Sequence, residues 1–243
     1  MNSHRSHRLR ARRLGIDTHS ETVVFMRKDC PVCRSEGFTS HNRIALSAGD
    51  RHVIATLYQV ESELIDRDEA GLSDAAWMGL GLSQGDHITA RHAPPVASLS
   101  LMRGRIFGHP LDDASLHEII SDIVAGRYSA IEISSFITAC AANPMSHDEI
   151  CSLTGAMVDA GERLSWNRPV VVDKHSVGGL PGNRTTPIIV AIIAALGLTM
   201  PKTSSRAITS PAGTADTMET LAPGILDEKT IRDVVEREGR CIA

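Results

Sequence analysis

Between Glu21 and about Ala93 the apolar residues fall into short stretches broken by turn formers, at Thr22 to Met26, Arg43 to Leu46, His52 to Leu57 and His87 to Ala90. Short apolar runs bounded by Gly, Asp and Ser predict strands, and so a small, mostly β domain. One short helix fits within it near Leu72 to Leu80, with Ser73 placed to cap it. The Pro94-Pro95 pair then ends the domain and opens a linker.

After the linker the apolar period changes from two to three and four. Leu116, Ile119, Ile120, Ile123 and Val124 fall on one helical face, and Gly126 stops it. Ser129 with Glu132 and Ser146 with Glu149 have capping-box spacing, in which hydroxyl and carboxylate each satisfy a free backbone N–H. The helices they start carry Ile133, Phe136, Ile137 and Cys140 on one face, and Ile150, Leu153, Met157 and Val158 on the other. Three short helices with tight connections predict a helical domain.

At Pro169 the pattern changes again. Val170 to Val172 reads as a buried strand followed by a Gly-rich loop from Asp173 to Arg184. Thr185 or Thr186 then caps an apolar helix that holds Pro187 in its first turn and runs to Gly197. A second strand at Leu198 to Met200 leads into a polar loop, Lys202 to Thr214, and then into helices near Ala215 to Leu221 and Asp227 to Glu238. Cys241 to Ala243 begins a third strand. Alternating strands and helices of this kind build a parallel sheet. The predicted fold class is multi-domain α/β: a small β-rich domain over 1–95, a helical domain over 96–166, and over 167–243 the first part of a parallel-sheet domain that stops mid-strand.

Charge narrows the partners. A net charge of -4 argues against nucleic acid, whose phosphate backbone is bound by a surplus of Lys and Arg. Local positive charge still suits a small anion. The longest apolar run, Ile188 to Leu196, is far short of the ~20 residues of a membrane span. Arg5, Arg8, Arg10, Arg12 and Arg13 read as a solvated basic arm. Five cysteines suit a reducing cytoplasm. Cys30-Pro31-Val32-Cys33 has zinc or redox spacing, but no second pair completes a metal site, so two ordinary thiols in a turn is the reading, with no metal and no cofactor.

In an open parallel sheet the loops leaving the carboxyl ends of neighbouring strands line one crevice. Here those loops contain Lys174-His175-Ser176-Val177-Gly178-Gly179 and Lys202-Thr203-Ser204-Ser205-Arg206. Glycines let backbone N–H groups approach an anion, hydroxyls donate to its oxygens, and each following helix presents its positive end. Lys174, Ser176, Ser204, Thr214 and Thr185 or Thr186 could share one phosphate. His175 could hydrogen-bond a base or move a proton. Neither GxxxxGK[ST] nor GxGxxG occurs, and glycines of this kind also mark a plain strand-to-helix turn.

At these residues the chain resembles the thymidine phosphorylase and AMP phosphorylase superfamily. Asp173-Lys174-His175-Ser176 with Gly178-Gly179, then Pro181 to Thr186, and Ser205-Arg206-Ala207-Ile208-Thr209-Ser210-Pro211-Ala212-Gly213-Thr214-Ala215-Asp216 are most similar to archaeal AMP phosphorylases and bacterial type 2 thymidine phosphorylases. The likeness runs back through Ala156-Met157 and Gly161-Glu162 to the β domain.

The resemblance implies phosphorolysis, in which inorganic phosphate is a substrate rather than a cofactor. Lys174 and His175 match catalytic positions. Lys174, Ser176, Thr185, Thr186, Ser204 and Thr214 match phosphate-holding ones. His175, Gly179, Ser205, Arg206, Ala207, Ile208, Thr209, Ser210 and Thr214 match positions that hold the nucleoside or nucleotide. It also implies a proton-donating acid and further base contacts beyond Ala243, so the 243 residues alone are expected to be inactive. Helices in the 116–140 region are expected to form a homodimer. A phosphoribosyl transferase is disfavoured, because no acidic pair of the metal-pyrophosphate kind follows the first strand.

Overall fold

A computed structural model describes residues 8–175, 184–207, 212–223 and 226–243. The chain divides into two compact units, Met1–Glu162 and Arg163–Ala243.

In the first unit β1 (Arg8–Arg13), β2 (Val23–Arg27), β3 (Arg43–Ala48), β4 (Arg51–Val60), β5 (Glu69–Leu72) and β6 (His87–His92) close a barrel in the order β1-β5-β2-β4-β3-β6. β1 closes the ring by pairing with β6, Leu9 opposite Ile88. Two neighbouring pairs are parallel, β1 with β5 and β2 with β4; the remainder are antiparallel. Alternation drives one face inward, so Leu9, Val24, Met26, Ile44, Leu46, Leu57, Leu72 and Ile88 form the core. Burying each large side chain contributes about 1.5–3 kcal/mol.

The basic arm expected at the start is corrected over its described part: residues 8–13 are a barrel strand. Leu9 and Ala11 point inward, while Arg10 and Arg12 reach the nearly buried Glu69 at 2.9 and 3.3 Å. A period of two was present in the Arg-rich run, and long-range pairing decides it over charge. Burial alone would raise the Glu69 carboxyl, but the Asp66 N–H and the two guanidinium groups hold it below its ordinary value. Two short helices cover the barrel, α1 (Pro31–Glu36) and α2 (Asp74–Leu80), and Ser73 caps α2 by accepting from the Ala76 N–H. The cysteine pair lies not in a turn but at the start of α1, both residues buried.

The same unit continues with α3 (Leu99–Ile106), α4 (Asp113–Val124), α5 (Ala130–Ala142) and α6 (His147–Ala160). Four helices replace the three expected, because Ser100, Arg103 and Arg105 hide the apolar period of α3. Both capping boxes form: Ser129 and Ser146 accept from the Glu132 and Glu149 N–H groups, and each Glu carboxylate accepts the Ser N–H in return. Leu116, Ile119, Ile120, Tyr128, Phe136 and Ala156 make the core. Through it runs a buried ion pair, Arg105 Nη1 to Glu149 Oε1 at 2.9 Å. The Leu111 N–H donates to the same oxygen at 3.0 Å, and Arg105 Nη2 donates to the Asn143 carbonyl at 2.7 Å. The expected α6 face is corrected. Ile150, Met157 and Val158 are exposed, because α6 packs on α4 through Leu153, Ala156 and Ala160.

The second unit holds α7 (Thr185–Ala195), β7 (Met200–Lys202), α8 (Thr214–Met218), α9 (Glu228–Glu238) and β8 (Arg240–Ile242). β7 and β8 are parallel, and a parallel bridge joins Val171 to Thr199 on the other side of β7. The expected strand at Val170 to Val172 is therefore only this bridge, with Val170 and Val171 exposed, since its apolar side chains find no covering layer among the described residues of the unit. The second strand lies two residues later than expected. Neither Thr185 nor Thr186 caps α7: the N-cap is Arg184, without a side-chain cap bond. The α9 helix has Asp227 as its cap and packs Ile231 and Val235 against Cys241, Leu164 and Trp166.

Candidate functional site

The parallel arrangement places the described starts of both polar loops at the carboxyl end of the second unit's sheet, where an open α/β sheet places its ligand crevice. Lys174 and His175 follow the Val171 bridge. Thr185 and Thr186 open α7, and Ser204, Ser205, Arg206 and Ala207 follow β7. Thr214 opens α8. Ser176, Gly179, Ile208, Thr209 and Ser210 lie outside the described residues.

Lys174, Thr186, Ser204 and Arg206 among these are tied to specific partners. The Lys174 ammonium donates to the Thr186 hydroxyl at 3.2 Å, which joins the first loop to the first turn of α7. Thr186 is 1% exposed, so its hydroxyl has to find a partner within the protein, and Lys174 supplies it. Ser204 is held against β8: its N–H donates to the Ala243 carbonyl at 2.6 Å and its hydroxyl to the same oxygen at 3.2 Å. Arg206 pairs with Asp216 and Glu219, so its guanidinium is engaged on the α8 side of the loop.

Asp216 organises the rest of the second loop. One carboxylate oxygen accepts from the Ala207 N–H and the Gly213 N–H, each at 2.8 Å, and these bonds hold the carboxyl below its ordinary range. Gly213 lies so near the described start of the loop that a Cβ on it would lie 2.6 Å from the Ser205 carbonyl oxygen and the Arg206 carbonyl carbon. The Ala215 N–H reaches the Ser205 carbonyl at 3.4 Å, which brings the start of α8, and with it Thr214, beside Ser205. His175 is exposed.

One residue absent from the sequence-based site completes the frame. Lys202, at the end of β7, is buried and places its ammonium 3.0 Å from the Asp173 carboxylate, which immediately precedes Lys174. Burial would raise the Asp173 carboxyl, but its bond to Lys202 and the Lys174 N–H hold it below the ordinary carboxylate value. A lysine opening a polar loop was the only sequence signal, and nothing local identified its partner.

No group of three or more His, Cys, Asp or Glu side chains able to hold a metal occurs among the described residues. None of the described helices is long and apolar enough to cross a membrane. The arrangement can hold an anion against ammonium, hydroxyl and backbone N–H donors at the ends of parallel strands.

Two family models match the chain in tandem: the glycosyl transferase family helical bundle domain over residues 100–161 and the glycosyl transferase family a/b domain over residues 168–243. Relatives of high identity share nearly the whole chain. The "Putative thymidine phosphorylase" of Sphingopyxis alaskensis is 58% identical over 97% of this chain and 46% of its own length, and that of Polaromonas sp. is 56% identical over the same shares. Among solved structures, anthranilate phosphoribosyltransferase from Thermus thermophilus aligns with a TM-score of 0.46 and 24% identity, covering 58% of this chain and 44% of that one. The chain belongs to this glycosyl transferase family and, within it, to the thymidine phosphorylase superfamily. It spans about half the length of the curated relatives it matches.

Proposed function

We propose that a protein containing this chain is a pentosyltransferase of the thymidine phosphorylase type, which splits a nucleoside by phosphorolysis. A phosphate oxygen forms a bond to the anomeric carbon of the sugar, the bond from that carbon to the base nitrogen breaks, and the base leaves with the electron pair and takes up a proton. With thymidine the products are thymine and 2-deoxyribose 1-phosphate. The observation that carries the reading is the Lys174 ammonium, held by Thr186 at the carboxyl end of a parallel sheet in a chain of this family. Phosphate is concentrated and oriented there by Lys174, Thr186, Thr185, Ser204 and Thr214, with Ser176 in the same role. His175 contacts the base, and positions 205–210 with Gly179 hold the sugar or its phosphate. Such a reaction draws on electrostatics and positioning more than on a protein nucleophile.

A second substrate reading is a nucleoside monophosphate such as AMP, giving adenine and ribose 1,5-bisphosphate. It is supported by the sequence of the second loop, in which Ser205 to Ser210 and Thr214 resemble positions that hold the nucleotide in nucleotide-cleaving relatives. Incubating the full-length protein with thymidine or AMP, with and without phosphate, and measuring free base distinguishes them. Absence of any phosphate-dependent base release removes the phosphorylase reading and leaves an inactive phosphate-binding module.

A homodimer is the assembly this reading favours. Among the bundle helices Ile131, Ile137 and Met157 are exposed at 78%, 61% and 59%, apolar side chains that a second copy could cover. The cytoplasm is the matching compartment, in keeping with five cysteines that are all free thiols.

A further inference from the structure

Lys202 ends β7 with its side chain on the buried side of the strand, together with that of Met200. Its backbone is fixed by β8: Lys202 lies opposite Ile242, and the Ala243 N–H donates to the Lys202 carbonyl at 2.9 Å. On the other side of this chain segment the Val172 N–H donates to the Thr199 carbonyl at 2.9 Å, which holds the neighbouring segment up to the residue before Asp173. From there the Lys202 ammonium continues the attachment, 3.0 Å from the Asp173 carboxylate. Adjacent side chains of an extended chain point to opposite sides, and the two here have partners on different elements. Asp173 meets Lys202 on β7, while the Lys174 ammonium meets the Thr186 hydroxyl at 3.2 Å on the first turn of α7. A continuous path therefore runs from β8 through Lys202, Asp173 and Lys174 to α7. Stability does not account for the ion pair in it. The Asp173 side chain is 60% exposed, so solvent weakens the attraction, while burying the lysine costs desolvation. What the pair fixes is direction.

We propose that Lys202 is a positioning residue for phosphate: acting through Asp173, it aims the Lys174 ammonium at the incoming anion and makes no contact with that anion itself. The proposal rests on the phosphorylase reading for the use to which the phosphate is put. Burial sets the division of labour between the two lysines. The Lys202 ammonium is enclosed and committed to Asp173, whereas Lys174 opens the loop at the carboxyl end of the sheet. Lys202→Met keeps most of the buried stem and removes only the charge, so Asp173 is released to solvent and Lys174 loses the fixed point behind it. The displacement needed is small, since about 1 Å of misplacement at a reacting centre can cost a hundredfold in rate.

The test uses the full-length protein with Lys202→Met, Asp173→Asn, Lys174→Ala and the double variant Lys202→Met with Lys174→Ala. In both Lys202→Met and Asp173→Asn, kcat/KM for phosphate should fall about tenfold while KM for the nucleoside stays unchanged, a split that general loosening of the fold would not produce. In the Lys174→Ala background Lys202→Met should cost little more, because its effect passes through the missing ammonium. An unchanged phosphate dependence overturns the proposal and leaves the phosphorylase reading intact, and so does an equal loss with and without Lys174. Titration calorimetry with inorganic phosphate separates the two ideas in the other direction. A native protein that releases no base, yet binds phosphate about tenfold more tightly than Lys202→Met does, ends the phosphorylase reading and supports the positioning role. A native protein that binds no phosphate overturns both. Should one of the two pair variants fail to fold, the other carries the same comparison.

Discussion

Lys202 and Asp173 join the ends of two neighbouring strand segments by a single ion pair of 3.0 Å, with the lysine buried and the aspartate side chain 60% exposed. The asymmetry gives the first prediction. Asp173→Asn leaves a buried ammonium without its counter-charge and should cost about 1–3 kcal/mol, whereas Lys202→Met removes the charge that needed a partner and should cost less. Urea unfolding of the two variants checks the order. The Asp173 carboxyl lies below its unfolded value, so the pair stabilises fully above about pH 4 and fades as pH falls through the lower folded value. Solvent around Asp173 keeps that pH effect small.

Lys174→Ala in the full-length protein is expected to slow phosphorolysis by about a hundredfold, on the order of 3 kcal/mol, because the charged contact strengthens as the transition state forms. Steady-state kinetics at varied phosphate measure it. Near-normal turnover with unchanged phosphate dependence would remove Lys174 from the site.

The buried pair in the helical bundle should matter far more to stability than any surface ion pair. Glu149→Ala strips the counter-charge from Arg105, the acceptor from Leu111 and half of a capping box, and should cost about 3–5 kcal/mol. Replacing the pair together, Arg105→Met with Glu149→Leu, should recover much of that loss, because no buried charge is then left alone. Calorimetric melting of both variants tests the order. A double variant less stable than Glu149→Ala counts against the desolvation argument.

Gly213→Ala should disrupt the second loop, since the added methyl carbon would meet the Ser205 carbonyl at 2.6 Å while the backbone at 213 is otherwise ordinary. Overpacking of this kind costs about 1–3 kcal/mol. Base release by the full-length protein should fall more than its melting temperature does. An active variant with unchanged kinetics would show that the loop does not position substrate.

Ile131→Glu combined with Ile137→Glu should convert the proposed dimer to monomer without unfolding it, because both side chains are already exposed in the single chain. Sedimentation at micromolar concentration reads the outcome. A native protein that sediments only as monomer removes the dimer.

The sequence was most informative where the signal was local. Ser73, Ser129 and Ser146 cap the helices that their spacing to the following residues indicated, since a cap needs only three residues of context. The opening strand looks like a basic arm in sequence because its partners, Glu69 and Ile88, lie far along the chain, and only pairing shows that Arg10 and Arg12 have a carboxylate between them. The α3 helix was hidden for a related reason: Arg105 looks like surface and is buried by Glu149. In the site, residue types and loop positions were legible, but Lys202 was not, because a lysine is assigned a role only by the group it faces.

The ring of strands in the first unit also sets an order of events. Its first strand pairs only with β5 and β6, the two that come last. No hairpin can seat β1 early, and the chain from residue 14 to residue 86 has to be closed into a loop before Leu9 meets Ile88. Loop closure of that length delays the reward of contact, which is the property that slows folding across small domains. The β3–β4 hairpin, whose strands are neighbours in the chain, should gain protection against hydrogen exchange first during refolding, and β1 last. During synthesis the arginine-rich strand therefore waits, unpaired and soluble by virtue of its charge, until the barrel that will hold it has been made.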